Sequence, residues 1–221
     1  MGLDMYLDKA KRVKGVTAKD LSIMNSYFSY VTRSEQYRDS TPDEWSGFKM
    51  MDVKLDFTKH YIEEYRTEYA EWDKEKKYGW STIFTKVGYW RKANHIHNWF
   101  VQNVQDGKDD CGLYEVSKEK LKELLELCLV VLRESRLVDG KVFAGTRIKN
   151  GDMVDIYEEG KCIEDPSLAK ELLPTTGGFF FGGTAYDEWY YKDLENTVEI
   201  LMKVLNETDF ENEMIVYQSS W

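Results

Sequence analysis

Between Tyr89 and Phe100, twelve residues hold two of the three histidines in the chain, two tryptophans, the basic pair Arg91-Lys92 and two asparagines. Flat apolar walls with a few placed donors are what a ligand pocket needs, and a generic helix requires neither. Trp90, Arg91, Lys92 and Asn94 fall where a strand pattern turns into a helical one, and helix N-termini attract anions. Cations sit badly at that end of the helix dipole, so something negative is expected beside them. The options are an acidic side chain, such as Asp109 or Asp110, or a ligand phosphate.

The two histidines do not read as a metal pair. Helical ligands share a face at i, i+3 or i+4, whereas His95 and His97 are two apart and project about 160° from one another. They would share a face only on a strand, so no metal and no cofactor is assigned. His97 falls within the apolar stripe Ala93, Ile96, Phe100 and Val104, and His95 falls opposite it. The plain reading of His97 is a hydrogen-bonded core residue; the chemical reading is a general base oriented by Asp109 or Asp110. Cys111 beside those two carboxylates is in the wrong electrostatic setting for a nucleophile.

A second cluster runs from Thr175 to Thr184. Gly177 and Gly182 enclose four residues as in a phosphate loop, but glycine stands where the lysine should be and three phenylalanines fill the interior. Asp187 and Glu188 then open a helix and repel phosphate, and Thr184-Ala185-Tyr186-Asp187 reads as a capping box. A nucleotide triphosphatase of that type is rejected. The paired glycines still permit close approach of backbone to a neighbour or ligand around Phe180. Tyr186 and Trp189 lie off the stripe Leu194, Val198, Leu201 and Leu205, which leaves them for a pocket or a partner.

The elements that must position these groups follow from periodicity. Residues 2–7, 51–57, 81–90 and 214–218 alternate as strands, and residues 142–157 suit two short strands joined near Asn150-Gly151. Thr17 to Asp20 is a capping box before the stripe Leu21, Met24, Phe28 and Val31. Tyr61, Tyr65, Tyr69 and Trp72 form an aromatic stripe on a second helix, beyond a polar turn at Pro42. Further helices are expected over 93–104, after Ser117 (Leu121, Leu124, Leu125, Cys128, Leu132) and over 185–205. Strands and helices do not alternate regularly, which predicts one α+β domain over residues 1–221 with a mixed or antiparallel sheet and about five helices.

Composition narrows the function classes. With 221 residues, 42% of them hydrophobic and 14% aromatic, the chain can bury a proper core. A net charge of −10 disfavours sequence-independent nucleic-acid binding, and the short basic cluster Lys9, Lys11, Arg12 and Lys14 reads as a solvated turn. Cys111, Cys128 and Cys162 are scattered without a C-x-x-C pair, which points to a reducing cytoplasm rather than to disulfides or structural zinc. No run has membrane-spanning length, no signal-peptide core is present, and Tyr6 breaks the myristoylation pattern. The final Trp221 is expected to tuck into the fold or into a partner subunit of a homo-oligomer.

As a set, these blocks carry a resemblance: Met1 to Leu7, Gly88 to Asn94 with His97 to Val101, Asp109-Asp110-Cys111, Leu172 to Pro174 with Phe179 to Thr184, and Ser220-Trp221. Together they resemble a family of small proteins encoded by phages and prophages, some of which carry a phosphoglycerate-kinase label that these residues do not support. The resemblance implies an accessory, counter-defence role in the cytoplasm of an infected bacterium, through blocking host proteins or capturing signalling nucleotides.

The residues themselves predict binding without turnover of a small anionic, nucleotide-like ligand by Trp90, Arg91, Lys92, Asn94, His97, Phe180, Tyr186 and Trp189. The alternatives are a nucleotide or sugar-phosphate hydrolase or transferase built on His97 with Asp109 or Asp110, and a protein–protein antagonist of a host bacterial protein. The binding reading requires the segments around Trp90–His97 and Phe179–Trp189 to meet.

Overall fold

Leu3, Met5 and Leu7 are fully buried while Asp4 and Tyr6 between them are not, the alternation of a strand with one face on a core. In the computed structural model, which describes residues 2–32, 83–149, 152–178 and 180–221, these residues begin β1 (Asp4–Lys11). The described chain continues through α1 (Ala18–Thr32), β2 (Thr85–Arg91), α2 (Asn94–Asn103), β3 (Tyr114–Glu115) and α3 (Lys118–Glu134). It then forms β4 (Leu137–Lys149), β5 (Asp152–Ile163), α4 (Ser167–Leu172), α5 (Glu188–Glu207) and β6 (Glu213–Ser220). The fold is α+β.

The main sheet has the order β2-β1-β6-β3, and each neighbouring pair is antiparallel. Its two faces bury different sets. Leu3, Met5, Leu7, Ile215 and Tyr217 join the larger core with residues of α2, α3 and α5. Ala10, Met214 and Val216 face the other way, against Leu21 and Met24 of α1. The cap of α1 is reciprocal, as the sequence predicts: Thr17 N donates to Asp20 Oδ2 at 2.8 Å and Asp20 N to Thr17 Oγ1 at 3.3 Å. Gly88 explains the close seating of α5 on β2, because a Cβ there would stand 2.6 Å from Ile200 Cγ2.

Several boundaries differ from the sequence pattern. The two strands expected within 142–157 extend into a long hairpin whose base pairs Leu137 with Ile163, and Ile163 is buried in the larger core. The last helix starts at Glu188, because Asp187 is its cap: one carboxylate oxygen accepts from Trp189 N (2.9 Å) and Tyr190 N (3.2 Å), replacing the box expected at Thr184. Ser117 caps α3 as predicted, and Cys128 is buried in its stripe, with burial pushing the thiol up to about 12. The basic cluster is no free turn. Lys9 bonds Glu213 (2.8 Å) and Arg12 bonds Glu115 (2.9 Å) across the strands. The strand expected at 51–57, the aromatic helix, the Pro42 turn, the Asn150-Gly151 joint and the side chains of Phe28 and Val31 lie outside the described residues.

Candidate ligand-binding cleft

The two sequence clusters meet through one side chain. Asn94, the first residue of α2, is buried and donates from Nδ2 to the carbonyls of Phe181 (3.2 Å) and Gly183 (2.7 Å). Its Oδ1 accepts from Thr176 N at 3.0 Å, so one amide holds both sides of the 175–184 loop against the start of the helix. Lys92 just before it lies in the left-handed region (φ 64°), and Gly182 (φ 94°) packs on it: a Cβ on Gly182 would stand 3.1 Å from both Lys92 Cβ and its carbonyl. A non-glycine residue held in that region marks strain that the surroundings impose.

This junction forms one wall of a cleft of about 700 Å³. A second wall comes from the base of the hairpin. Ile163 N donates to the Tyr186 carbonyl (2.9 Å) and Cys162 pairs with Asp187, which brings β4 and β5 to the start of α5. Lys141, Phe143 and Tyr157 thereby reach the cleft, the two rings meeting edge to face at 6.0 Å. The rim is therefore exposed and mixed, with the cations Arg91, Lys92 and Lys141 among the rings of Phe143, Tyr157 and Trp189. Trp189 is 61% exposed, with Lys192 Nζ 4.4 Å from its ring centroid.

The floor is different in kind. Asn94, His95, Asp187 and Tyr190 are buried there, and Asp193 is half-buried. His95 stacks on Tyr190 with ring centroids 4.1 Å apart, and its Nε2 has no hydrogen-bond partner among the described residues. Burial lowers its pKa to about 3, so the ring is neutral. The carboxyl of Asp193 makes no hydrogen bond or ion pair among the described residues, and burial, then the charge of Asp187, raises it to about 7. Burial likewise drives the Tyr190 phenol upward, and its hydroxyl donates to the Leu173 carbonyl at 3.0 Å.

The opposite face of α2 holds His97, which is buried and whose two nitrogens are both engaged. Nε2 lies 3.1 Å from Asp109 Oδ2 and Nδ1 lies 2.7 Å from the Tyr217 hydroxyl. An ionised carboxylate only accepts, so Nε2 carries the hydrogen and Nδ1 accepts from the phenol, which burial keeps protonated. The other oxygen of Asp109 accepts from the indole of Trp221 at 2.9 Å, and the Trp221 ring packs edge-on to Phe181. Trp221 thus closes on its own chain. Asp109 comes within the reach that a base and its orienting group need, but His97 does not line the cleft.

Of the eight residues expected to bind ligand, Arg91, Lys92, Asn94 and Trp189 line the cleft. Asn94 does so as the staple of the loop. Trp90 is core: it is buried, and its indole donates to Thr197 Oγ1 at 2.9 Å, tying β2 to α5. Tyr186 packs on Tyr190 and accepts from Thr175 N (3.2 Å), and Phe180 is exposed at the other side of the loop (φ 61°). Neither contributes to the lining, and nor does His97. The negative group expected beside the cations is Asp4, opposite Arg91 in the β1–β2 register and 3.0 Å from its guanidinium. Asp110 instead accepts from Gly112 N and the Tyr114 hydroxyl, which hold its carboxyl below the usual range. Lys92 and Lys141 have no ion pair among the described residues.

No family model, curated protein or solved structure matches this chain. The cleft's chemistry stands on its geometry alone. Among the described residues no group of three or more His, Cys, Asp or Glu is placed to hold a metal, and no helix is long and apolar enough to cross a membrane.

Sequence reasoning missed His95, Lys141, Phe143, Tyr157 and Asp193. His95 had no signal in residue order. Asn94 to His97 are consecutive and all buried, so the first turn of α2 is covered on every side, while Asn98 and Asn103 are half-buried and Gln102 is exposed. The hairpin residues had no signal either, because only the tertiary docking of β5 on α5 brings them to the site.

Proposed function

We propose that this chain is a binding protein that captures a small anionic, nucleotide-like ligand in the cleft between α2, the 175–184 loop, the hairpin and α5, without turnover. The observation that carries this reading is the rim. Two lysines without ion pairs among the described residues stand among three exposed aromatic rings, in a concavity large enough for a nucleotide. Exposed rings give a base a stacking surface at little cost in side-chain entropy, and the lysines supply charge for phosphate. In the phage setting that the resemblance implies, the ligand is a signalling nucleotide of the host and capture acts as counter-defence.

The test is thermal denaturation against a panel of mono-, di- and cyclic nucleotides, with mass spectrometry of any small molecule released from heat-denatured protein. At least one nucleotide is expected to raise Tm by several degrees, as mass action requires of a ligand held only by the folded state. The double variant Lys92→Ala, Lys141→Ala loses that response while its own Tm stays close to the parent's. An unchanged Tm across the panel, together with a stoichiometric bacterial protein retained on a column and lost on Trp189→Ala, would instead assign the exposed aromatics to a protein antagonist.

A further inference from the structure

The cleft is polarised, and the polarity goes beyond capture of an anion. The cations stand at its exposed rim, whereas its floor is lined by His95, whose buried Nε2 has no hydrogen-bond partner among the described residues, and by the half-buried Asp193, whose carboxyl has none among them either. A phosphate pushed to that floor would meet Asp187 and Asp193 rather than the lysines. A buried polar group without a partner costs stability, and its persistence at a cleft floor makes sense where a ligand supplies the missing bond.

We propose that Asp193 and His95 form the specificity end of the site, taking the uncharged hydrogen-bonding edge of a nucleobase, while Lys92 and Lys141 hold the phosphate at the rim. This rests on the nucleotide-binding reading above. Asp193 acts as a donor from its protonated carboxyl, and His95 completes the pair as a neutral ring. Discrimination follows, because a ligand without the base leaves both groups unpaired, and a site built to bond a polar edge rejects analogues that lack it. Affinity also depends on pH. The titratable and charged groups that line the cleft with Asp193 are Arg91, Lys92, His95, Lys141 and Tyr157 from other elements, with Tyr190 on its own helix and Asp187 at the head of that helix. Of these, His95 is neutral and Tyr190 protonated from pH 6 to 8.5, and the ligand phosphate, with a second pKa of about 6, has largely ionised by neutrality, so Asp193 sets the dependence above it.

Calorimetric titration with AMP, GMP, CMP and UMP, each against ribose 5-phosphate, separates the two ends. The preferred mononucleotide is expected to bind at least tenfold more tightly than ribose 5-phosphate at pH 6.5, and its affinity to fall toward tenfold per pH unit above neutrality. Asp193→Asn, which keeps a donor, holds the affinity and flattens the pH dependence. Asp193→Ala and His95→Ala bring the nucleotide down to the affinity of ribose 5-phosphate, with circular dichroism confirming that each variant is folded. Equal affinity for nucleotide and ribose 5-phosphate, still lost on removing the lysines, would overturn the floor as a base reader and leave the anion site standing. Binding of neither would remove both.

Discussion

Two histidines separated by one residue on α2 stand in opposite chemical situations. His97 is closed into the chain Tyr217–His97–Asp109–Trp221, in which every hydrogen has an acceptor. His95 is as deeply buried, yet among the described residues its Nε2 has no partner, and it lies against a cleft whose other floor group, the half-buried Asp193, has no hydrogen bond or ion pair to its carboxyl among them either. The difference separates stability from function. A satisfied network specifies structure, and an unsatisfied group at a cleft is the place where the proposed ligand is tested.

The largest expected effect falls on the closed side. His97→Ala leaves the Tyr217 hydroxyl and Asp109 without their bonds and opens a cavity against Phe181, at a cost of about 4 kcal/mol by urea denaturation. A loss under about 1 kcal/mol would erase the contrast from that side.

Asp193→Asn acts in the opposite direction. The folded pKa lies above the unfolded one, so the folded state holds a proton that the unfolded chain has already released. Stability falls as pH rises from about 4 toward 7, and the variant gains what the parent loses. The gain is on the order of 3 kcal/mol at pH 8 and under about 1 kcal/mol at pH 4. An Asp193→Asn variant less stable than the parent at pH 8 would mean that the carboxylate is paired.

His95 gives the mirror image. Its folded pKa is depressed, so the unfolded chain takes up a proton first and stability is lost as pH falls below about 6.5. Compared with His95→Gln, the parent should lose about 2 kcal/mol more between pH 6.5 and 4.5. Parallel stability curves for the two proteins would contradict a neutral, buried His95. The smallest effect is at the chain end: deleting Trp221 removes one indole bond to Asp109 and a half-exposed ring, for about 1 kcal/mol.

Much of this arrangement was legible in residue order. Alternation marked β1 and β6, the Thr17 and Ser117 caps marked two helix starts, and the concentration of Asn94 with Arg91 and Lys92 marked one wall of the cleft. The aromatics were harder to assign. Trp90 and Trp189 look alike in a string, and only the seating of α5 on β2 puts the first in the core with Thr197 and leaves the second outside. His97 drew attention as a candidate base because of Asp109, and that contact exists, but Tyr217, a hundred and twenty residues away, takes the other nitrogen. His95 falls opposite the stripe Ala93, Ile96, Phe100 and Val104, and a single stripe does not show that the other side is covered too. The first turn of α2 is buried all round, and that second side is the one that meets the cleft.

The contrast between the two histidines is tested most directly by imidazole ¹⁵N NMR of the protein titrated with the mononucleotide that binds best. His97→Phe and His95→Gln spectra would assign the two rings. The account predicts that the His95 Nε2 resonance moves on ligand addition, as its missing bond forms, while both His97 nitrogens stay where they are. Movement of His97 with His95 unchanged would place the ligand on the other face of α2 and contradict it.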